Sequence, residues 1–334
     1  MSRPSRPARA LKWLGAAKSL TGCTLRLLLL ALLFYLNAAL PATAQSTTPA
    51  ATAQEPITPI TPPAPAAAPD LRRIALGEKL FGDTRLSRDN SRSCANCHDL
   101  ATNGATAKRY DTAPDGRPLA LNTPTVFNAV LSFRLNWEGK YRNLESEAEA
   151  TLEGSSMGTR VSQVVEKLRA DPDFARDFVE AYGHGPDRSS LLDAIASYER
   201  TLVTPGSRFD RWLAGDNEAL SSEERHGYRL FKSFGCISCH QGVNIGGNLY
   251  QRHGIFRPLG SPTPEILRVP SLRNVATRPR FFHDGSASTL SEAVRKMAAA
   301  QLNRSLSDDQ VDSIVAFLQT LTGIYRGAPV TGNP

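Results

Sequence analysis

No aspartate or glutamate occurs before Glu55 in this chain of 334 residues. Arg3, Arg6, Arg9, Lys12, Lys18 and Arg26 precede or open an apolar run from Leu27 to Leu36, too short to favour a membrane-spanning helix. Basic residues, a short apolar core and the small-x-small triplet Ala42-Thr43-Ala44 have the order of a secretory signal, residues 1–44, cut before Gln45. Left uncut, it would serve as a membrane anchor. Loss of those six basic residues takes the formal charge from +7 to about +1, and the case for nucleic-acid binding goes with it. Large apolar residues are nearly missing from 45–69, an Ala-, Thr- and Pro-rich stretch. Such a stretch cannot bury enough surface to fold and reads as a disordered tether. Nowhere does the chain alternate apolar and polar residues for long, which argues against a large sheet and for an all-α fold.

Cysteine is scarce as well, and four of the five cysteines fall into two copies of one spacing: Cys94-Ala95-Asn96-Cys97-His98 and Cys236-Ile237-Ser238-Cys239-His240. C-x-x-C-H is the spacing of c-type haem attachment, in which two thiols add to the haem vinyl groups and the adjacent histidine becomes an axial ligand of the iron. Two disulfides would leave both histidines without a role. The fifth cysteine, Cys23, follows Leu20-Thr21-Gly22 like a lipoprotein box but precedes the apolar run, which speaks against lipidation. One haem per half divides the chain into an N-terminal haem domain, 70–204, and a C-terminal one, 205–326, with a tail at 327–334. Two apolar macrocycles offset the modest aromatic content of 7% by giving short helices a surface to pack on. Secretion fits, because covalent haem attachment in bacteria takes place outside the cytoplasm; the compartment expected is the periplasm.

Helical periodicity places elements around both motifs. Leu71, Ile74, Ala75, Leu80 and Phe81 form a face after Asp70, read as an N-cap, and lead to the first motif. Helices are expected around 161–168, 173–182 and 191–202. Ser221 with Glu224, Thr289 with Glu292 and Ser307 with Gln310 read as capping boxes. Leu290, Val294 and Met297 then recur on one face. The loop after the first motif, from Leu100 to Leu121, is read as facing the haem.

These landmarks, with Leu76-Gly77-Glu78-Lys79-Leu80-Phe81, Asn122-Thr123-Pro124-Thr125, Trp137, Glu199-Arg200-Thr201-Leu202, Val269-Pro270-Ser271-Leu272-Arg273-Asn274-Val275 and Phe282-His283-Asp284-Gly285, resemble the bacterial dihaem cytochrome c peroxidases, a family that includes the MauG-type enzymes. The likeness runs from about Leu71 to Gly323. It implies a peroxidatic N-terminal haem on His98 and an electron-storing C-terminal haem on His240 and Met297. It implies that Trp137 is an electron relay between the haems, and that Asn122 with the carbonyls of Thr277 and Pro279 binds calcium through hard oxygen ligands. The substrate implied is hydrogen peroxide, reduced with electrons from a small cytochrome c or cupredoxin, by a homodimer. Two other readings stay open: a MauG-like peroxide-dependent oxidase of a protein or organic substrate, against which Met297 speaks because those enzymes carry tyrosine there, and a non-enzymatic dihaem electron carrier.

The chain departs from the family in the loop after the first motif, which has no histidine to close the peroxidatic iron; none occurs between His98 and His184. The N-terminal haem is therefore expected to be open, or water-bound, as isolated. The family's distal glutamine falls on Glu147, the first candidate for the acid/base that cleaves peroxide, with Glu153 the second. His283 is expected beside the haems, His253 at a haem edge, and Arg273 on a haem propionate.

Overall fold

A computed structural model describes residues 55–62 and 66–332. The expected signal at 1–44, Cys23 and the first part of the tether lie outside the described residues. Residues 55–334 form one compact unit that contains both haem motifs.

The first half is built from α1 (Ala68–Phe81), α2 (Leu144–Glu153), α3 (Val161–Arg169), α4 (Pro172–Tyr182) and α5 (Arg188–Glu199). Leu76, Leu80, Leu152, Val164, Leu168, Phe174, Phe178, Leu191 and Ile195 fill its core. In the second half, α6 (Arg208–Leu213), α7 (Ser222–Ser233), α8 (Leu290–Leu302) and α9 (Asp308–Gln319) enclose Phe209, Tyr228, Phe231, Ile314, Phe317 and Leu321. In each half the helix before the haem motif crosses a later helix at a glycine. A Cβ on Gly77 would lie 2.0 Å from Ala194 O, and one on Gly227 would lie 1.8 Å from Ser313 O. Only a bare backbone permits either crossing.

The capping chemistry is largely as expected. Ser221 and Glu224 cap reciprocally, as do Ser307 and Gln310, and Thr289 Oγ1 accepts from Glu292 N. The first helix differs: it starts at Ala68 with proline in its first turn and no side-chain cap, so Asp70 lies inside it. Two small antiparallel hairpins escape the periodicity, β1 (Tyr250–Arg252) with β2 (Ile266–Arg268) and β3 (Ile324–Tyr325) with β4 (Ala328–Pro329). Their strands are too short to alternate visibly.

Both ends of the described chain correct the expected boundaries. Within the stretch read as a tether, Ile57 and Ile60 are buried, and Ile57 sits in the core of the second half. Ile60 N donates to Asp210 Oδ1, Gly242 N donates to Pro56 O, and Tyr228 donates to Glu55. Two isoleucines in a polar stretch suffice when a groove receives them, each contributing roughly 1.5–3 kcal/mol. The tail is likewise packed: Val330 joins Phe81, Phe127, Tyr198 and Leu202 in the first half, and Thr331 Oγ1 donates to Ala101 O. Each end thus straps the half opposite to its place in the sequence.

Candidate dihaem site

Each C-x-x-C-H motif is a short 3₁₀ turn, Cys94–Asn96 and Cys236–Ser238, that brings its two free cysteines to one side. The histidines are held alike. His98 Nδ1 faces Gly104 O at 3.2 Å and His240 Nδ1 faces Ile245 O at 3.3 Å. Nδ1 donating to a carbonyl leaves the Nε2 lone pair for iron, the tautomer an axial ligand needs. Burial pulls both imidazoles down, His240 to about 4, which favours the neutral form a metal ligand needs.

A cavity of about 470 Å³ opens beside Cys94, Cys97 and His98. Apolar side chains such as Leu121, Val126, Phe127, Leu135, Leu144, Leu152 and Ile195 make up much of its wall. Paired thiols, a histidine with a free Nε2 and an apolar slot together fit a covalently bound haem. The comparable elements around Cys236, Cys239 and His240 fit a second. Met297 lies half-buried on α8 in that half.

The cavity wall also carries polar groups. Glu147 on α2 and Glu199 at the end of α5 both line it, on helices that pack together. Glu147 accepts from Thr151 Oγ1 at 3.1 Å, whereas Glu199 Oε2 is buried without a partner. Burial pushes both carboxyls up, against a small opposing pull from Thr151 on Glu147. For Glu199 the charge of Glu147 adds to the push and carries it well above the usual range. Trp137 lines the cavity too, with Nε1 donating to Asn122 O at 2.7 Å. Glu153 does not join them: it is exposed on the outer surface, and its carboxylate accepts from Val161 N at 3.4 Å.

Of the loop at 100–121, only Leu119, Ala120 and Leu121 line the cavity; Lys108, Tyr110 and Pro114 do not. The loop is pinned outward, with Arg109 Nε donating to Asp284 O and Asn122 Nδ2 to Lys108 O and Arg109 O. Among the described residues, His98 is the sole histidine on the cavity wall, which carries no lysine and no tyrosine.

Two further expectations are corrected. Arg273 does not reach the cavity: it forms a buried ion pair with Asp210 at 2.6 Å and donates to Val243 O and Thr58 O. The calcium ligands do not fit a calcium ion. Asn122 Oδ1 accepts from Arg278 Nη2 at 2.7 Å, and Thr277 O accepts from Asn103 Nδ2 at 3.0 Å. A cationic side chain thus already meets the first of these oxygens, and a neutral amide the second.

Three wall residues were not singled out from sequence: Glu199, Arg268 and Arg278. The arginines have no carboxylate within salt-bridge distance among the described residues, and burial pulls each to about 10, so both stay protonated. The signal was an arginine inside an apolar stretch, Leu267-Arg268-Val269, and a glutamate closing the apolar helix α5.

A helical unit with two such attachment sites is a dihaem c-type cytochrome. Residues 71–218 match the family described as di-haem cytochrome c peroxidase, and residues 225–322 match the family described as cytochrome c. The chain is 37% identical to the cytochrome c551 peroxidase of Nitrosomonas europaea, an alignment covering 81% of this chain and 85% of that one. It is 36% identical to the cytochrome c peroxidase Ccp of Escherichia coli, covering 81% of this chain and 62% of that longer protein. The methylamine utilization protein MauG of Methylophilus methylotrophus is 28% identical, over 78% of this chain and 86% of that one. Among solved structures, a MauG-like protein associated with microbial copper homeostasis shares the fold, with a TM-score of 0.66 at 24% identity over 79% of this chain and 93% of that one. The diheme peroxidase BthA of Burkholderia thailandensis does so at 0.64 and 19%, over 83% and 94%. The chain belongs to the di-haem cytochrome c peroxidase family, haem-dependent oxidoreductases with two c-type haems.

Proposed function

We propose that this enzyme reduces hydrogen peroxide to water at the His98 site, in the periplasm, with electrons held at the His240 site and supplied by a small cytochrome c or cupredoxin. The observation that carries this reading is the cavity at His98: a proximal histidine, two half-buried carboxyls, and no second histidine, lysine or tyrosine on the wall among the described residues. A carrier favours two strong ligands on each iron, whereas a peroxidase needs a free coordination position and a proton-transfer group.

The internal register of the chain supports the assignment of Glu147. Asn128 and Asn274 are left-handed residues that each open a 3₁₀ turn; α2 begins at Leu144 and α8 at Leu290, the same distance on. By that count Met297 corresponds to Thr151. A weakly ligating hydroxyl, hydrogen-bonded to Glu147, therefore stands in the first half where the second has a thioether.

Bound haem supplies peroxide binding and electron storage. The chain does the rest. Peroxide takes up two electrons and two protons to give two waters. Glu147 is placed to take the proton from the near oxygen and return it to the leaving oxygen, its carboxyl raised by burial above the ordinary carboxylate value. Met297 would help hold the other haem's iron, where a soft thioether donor favours the reduced state. Trp137 connects the two sites. Arg268, buried with no carboxylate within salt-bridge distance among the described residues, is matched in charge to a haem propionate.

The test is the absorption and EPR spectrum of the diferric protein, followed by peroxide without reductant. A high-spin haem that reacts at once is expected. Two low-spin, unreactive haems would overturn the open His98 site and leave either a protein that needs reductive activation or an electron carrier.

A further inference from the structure

Asn122 is a junction between the two halves. Its backbone N donates to His283 O at 2.8 Å, and its O accepts from Trp137 Nε1 at 2.7 Å. Its side-chain Nδ2 is committed to Lys108 O and Arg109 O, at 3.1 and 3.0 Å, which fixes the amide and turns Oδ1 the other way. There it meets Arg278. Nη2 of Arg278 donates to Asn122 Oδ1 at 2.7 Å and to Thr123 O at 3.1 Å, and Nε donates to Arg280 O at 3.3 Å. No carboxylate lies within salt-bridge distance of this guanidinium among the described residues.

A divalent calcium ion needs six to eight oxygens free to turn toward it. At this junction Asn122 Oδ1 and Thr277 O already accept from N–H donors, and the first of those donors is itself a positive charge. A guanidinium can do part of what a cation does here: neutralise oxygen dipoles and tie two segments together, with directional bonds.

We propose that Arg278 is the built-in cation of the junction between the haem halves: it positions Asn122, and through the Asn122 carbonyl Trp137, so that this chain joins its halves without calcium. The inference concerns how the halves are held and stands whichever substrate the His98 site serves.

The experiment uses the dihaem holoprotein freed of divalent ions by EDTA and dialysis. Calcium chloride is titrated into it calorimetrically, and the rate of electron transfer from the second haem to the first is followed by stopped flow before and after calcium. No saturable binding and an unchanged rate are expected for the wild type. Arg278→Ala should slow the transfer about ten-fold, Arg278→Lys less, and free guanidinium should restore part of the loss in Arg278→Ala; a merely structural arginine would show no such rescue. One-to-one calcium binding by the wild type, abolished in Asn122→Ala, would overturn the proposal. So would an Arg278→Ala protein that transfers electrons at the wild-type rate. If Arg278→Ala does not fold, the wild-type titration still decides.

Discussion

Trp137 and His283 stand at the same place in the two halves of the molecule and meet edge to face, with ring centroids 6.4 Å apart. Each follows a residue held left-handed, Asn136 at φ 60° and Phe282 at φ 69°. Each lies in a loop closed by an antiparallel bridge, Leu135 with Tyr141 and Phe281 with Ala287. Beyond His283, the His253 ring lies 4.5 Å away by centroids, its nitrogens facing Leu259 O and Pro264 O. Repetition of one loop has placed an indole and an imidazole face to edge at the contact between haem halves.

Trp137→Phe keeps an aromatic ring but removes the bond to Asn122 O and the more easily oxidised indole. Electron transfer between haems should slow by about ten-fold or more, while the diferric absorption spectrum stays as in the wild type. An unchanged stopped-flow rate would remove Trp137 from the relay.

The register that pairs Met297 with Thr151 predicts a gain of ligation. Thr151→Met should give the first haem a second axial ligand, turn its EPR signal low-spin, and suppress its reaction with peroxide. Glu147→Gln should leave the spin state alone and slow peroxide cleavage by roughly 10²-fold or more. A high-spin, fully reactive Thr151→Met protein would show that the two halves do not share this register at the iron.

The haem motifs and the helix caps were legible because each is local, a spacing or an S/T-x-x-E/Q signature, whereas Trp137 stood out only through the family resemblance. Glu147 and Glu153 were not separable in the same way. They sit six residues apart on one helix, about 240° around it, so one faces the cavity and the other solvent; which one faces inward depends on where α5 packs. The straps were missed because Ile57, Ile60 and Val330 are isolated apolar residues whose grooves are formed by distant sequence. Arg273 and Arg278 carry the same charge in the same segment. Only the fold gives one to Asp210 and the other to Asn122.

The N-terminal strap makes a stability prediction. Ile57 is buried in the core of the second half, and the same segment offers Thr58 O to Arg273 and Ile60 N to Asp210. Ile57→Ala should cost about 2–5 kcal/mol in urea unfolding. A cost under about 0.5 kcal/mol, the range of surface substitutions, would mean that the strap does not hold in solution.

Arg273 and Asp210 are both almost fully buried, with side-chain exposures of 1% and 4%. Removing one partner leaves the other charge stranded. Asp210→Ala should therefore destabilise the protein by about 3–5 kcal/mol. Joint replacement by apolar residues of similar volume should recover much of that loss. If the single and double variants unfold at the same urea concentration, the pair is not coupled.

Glu147 and Glu199 each add a pH dependence to stability. Burial raises both carboxyls above the ordinary value of 4.5, and their proximity raises Glu199 further. The folded protein thus keeps protons that the unfolded chain releases. The stability from these groups is complete below the unfolded value and is lost as pH rises through the folded ones. Replacing both by glutamine removes that dependence, so urea midpoints of Glu147→Gln/Glu199→Gln should gain on the wild type as pH climbs from about 4.5 toward neutrality. Glu199→Gln alone should show most of the gain, since Glu199 carries the larger shift and an unpartnered oxygen. Parallel profiles for wild type and variants would mean that neither carboxyl holds its proton in the folded state, and would also take from Glu147 the proton it is proposed to return to peroxide.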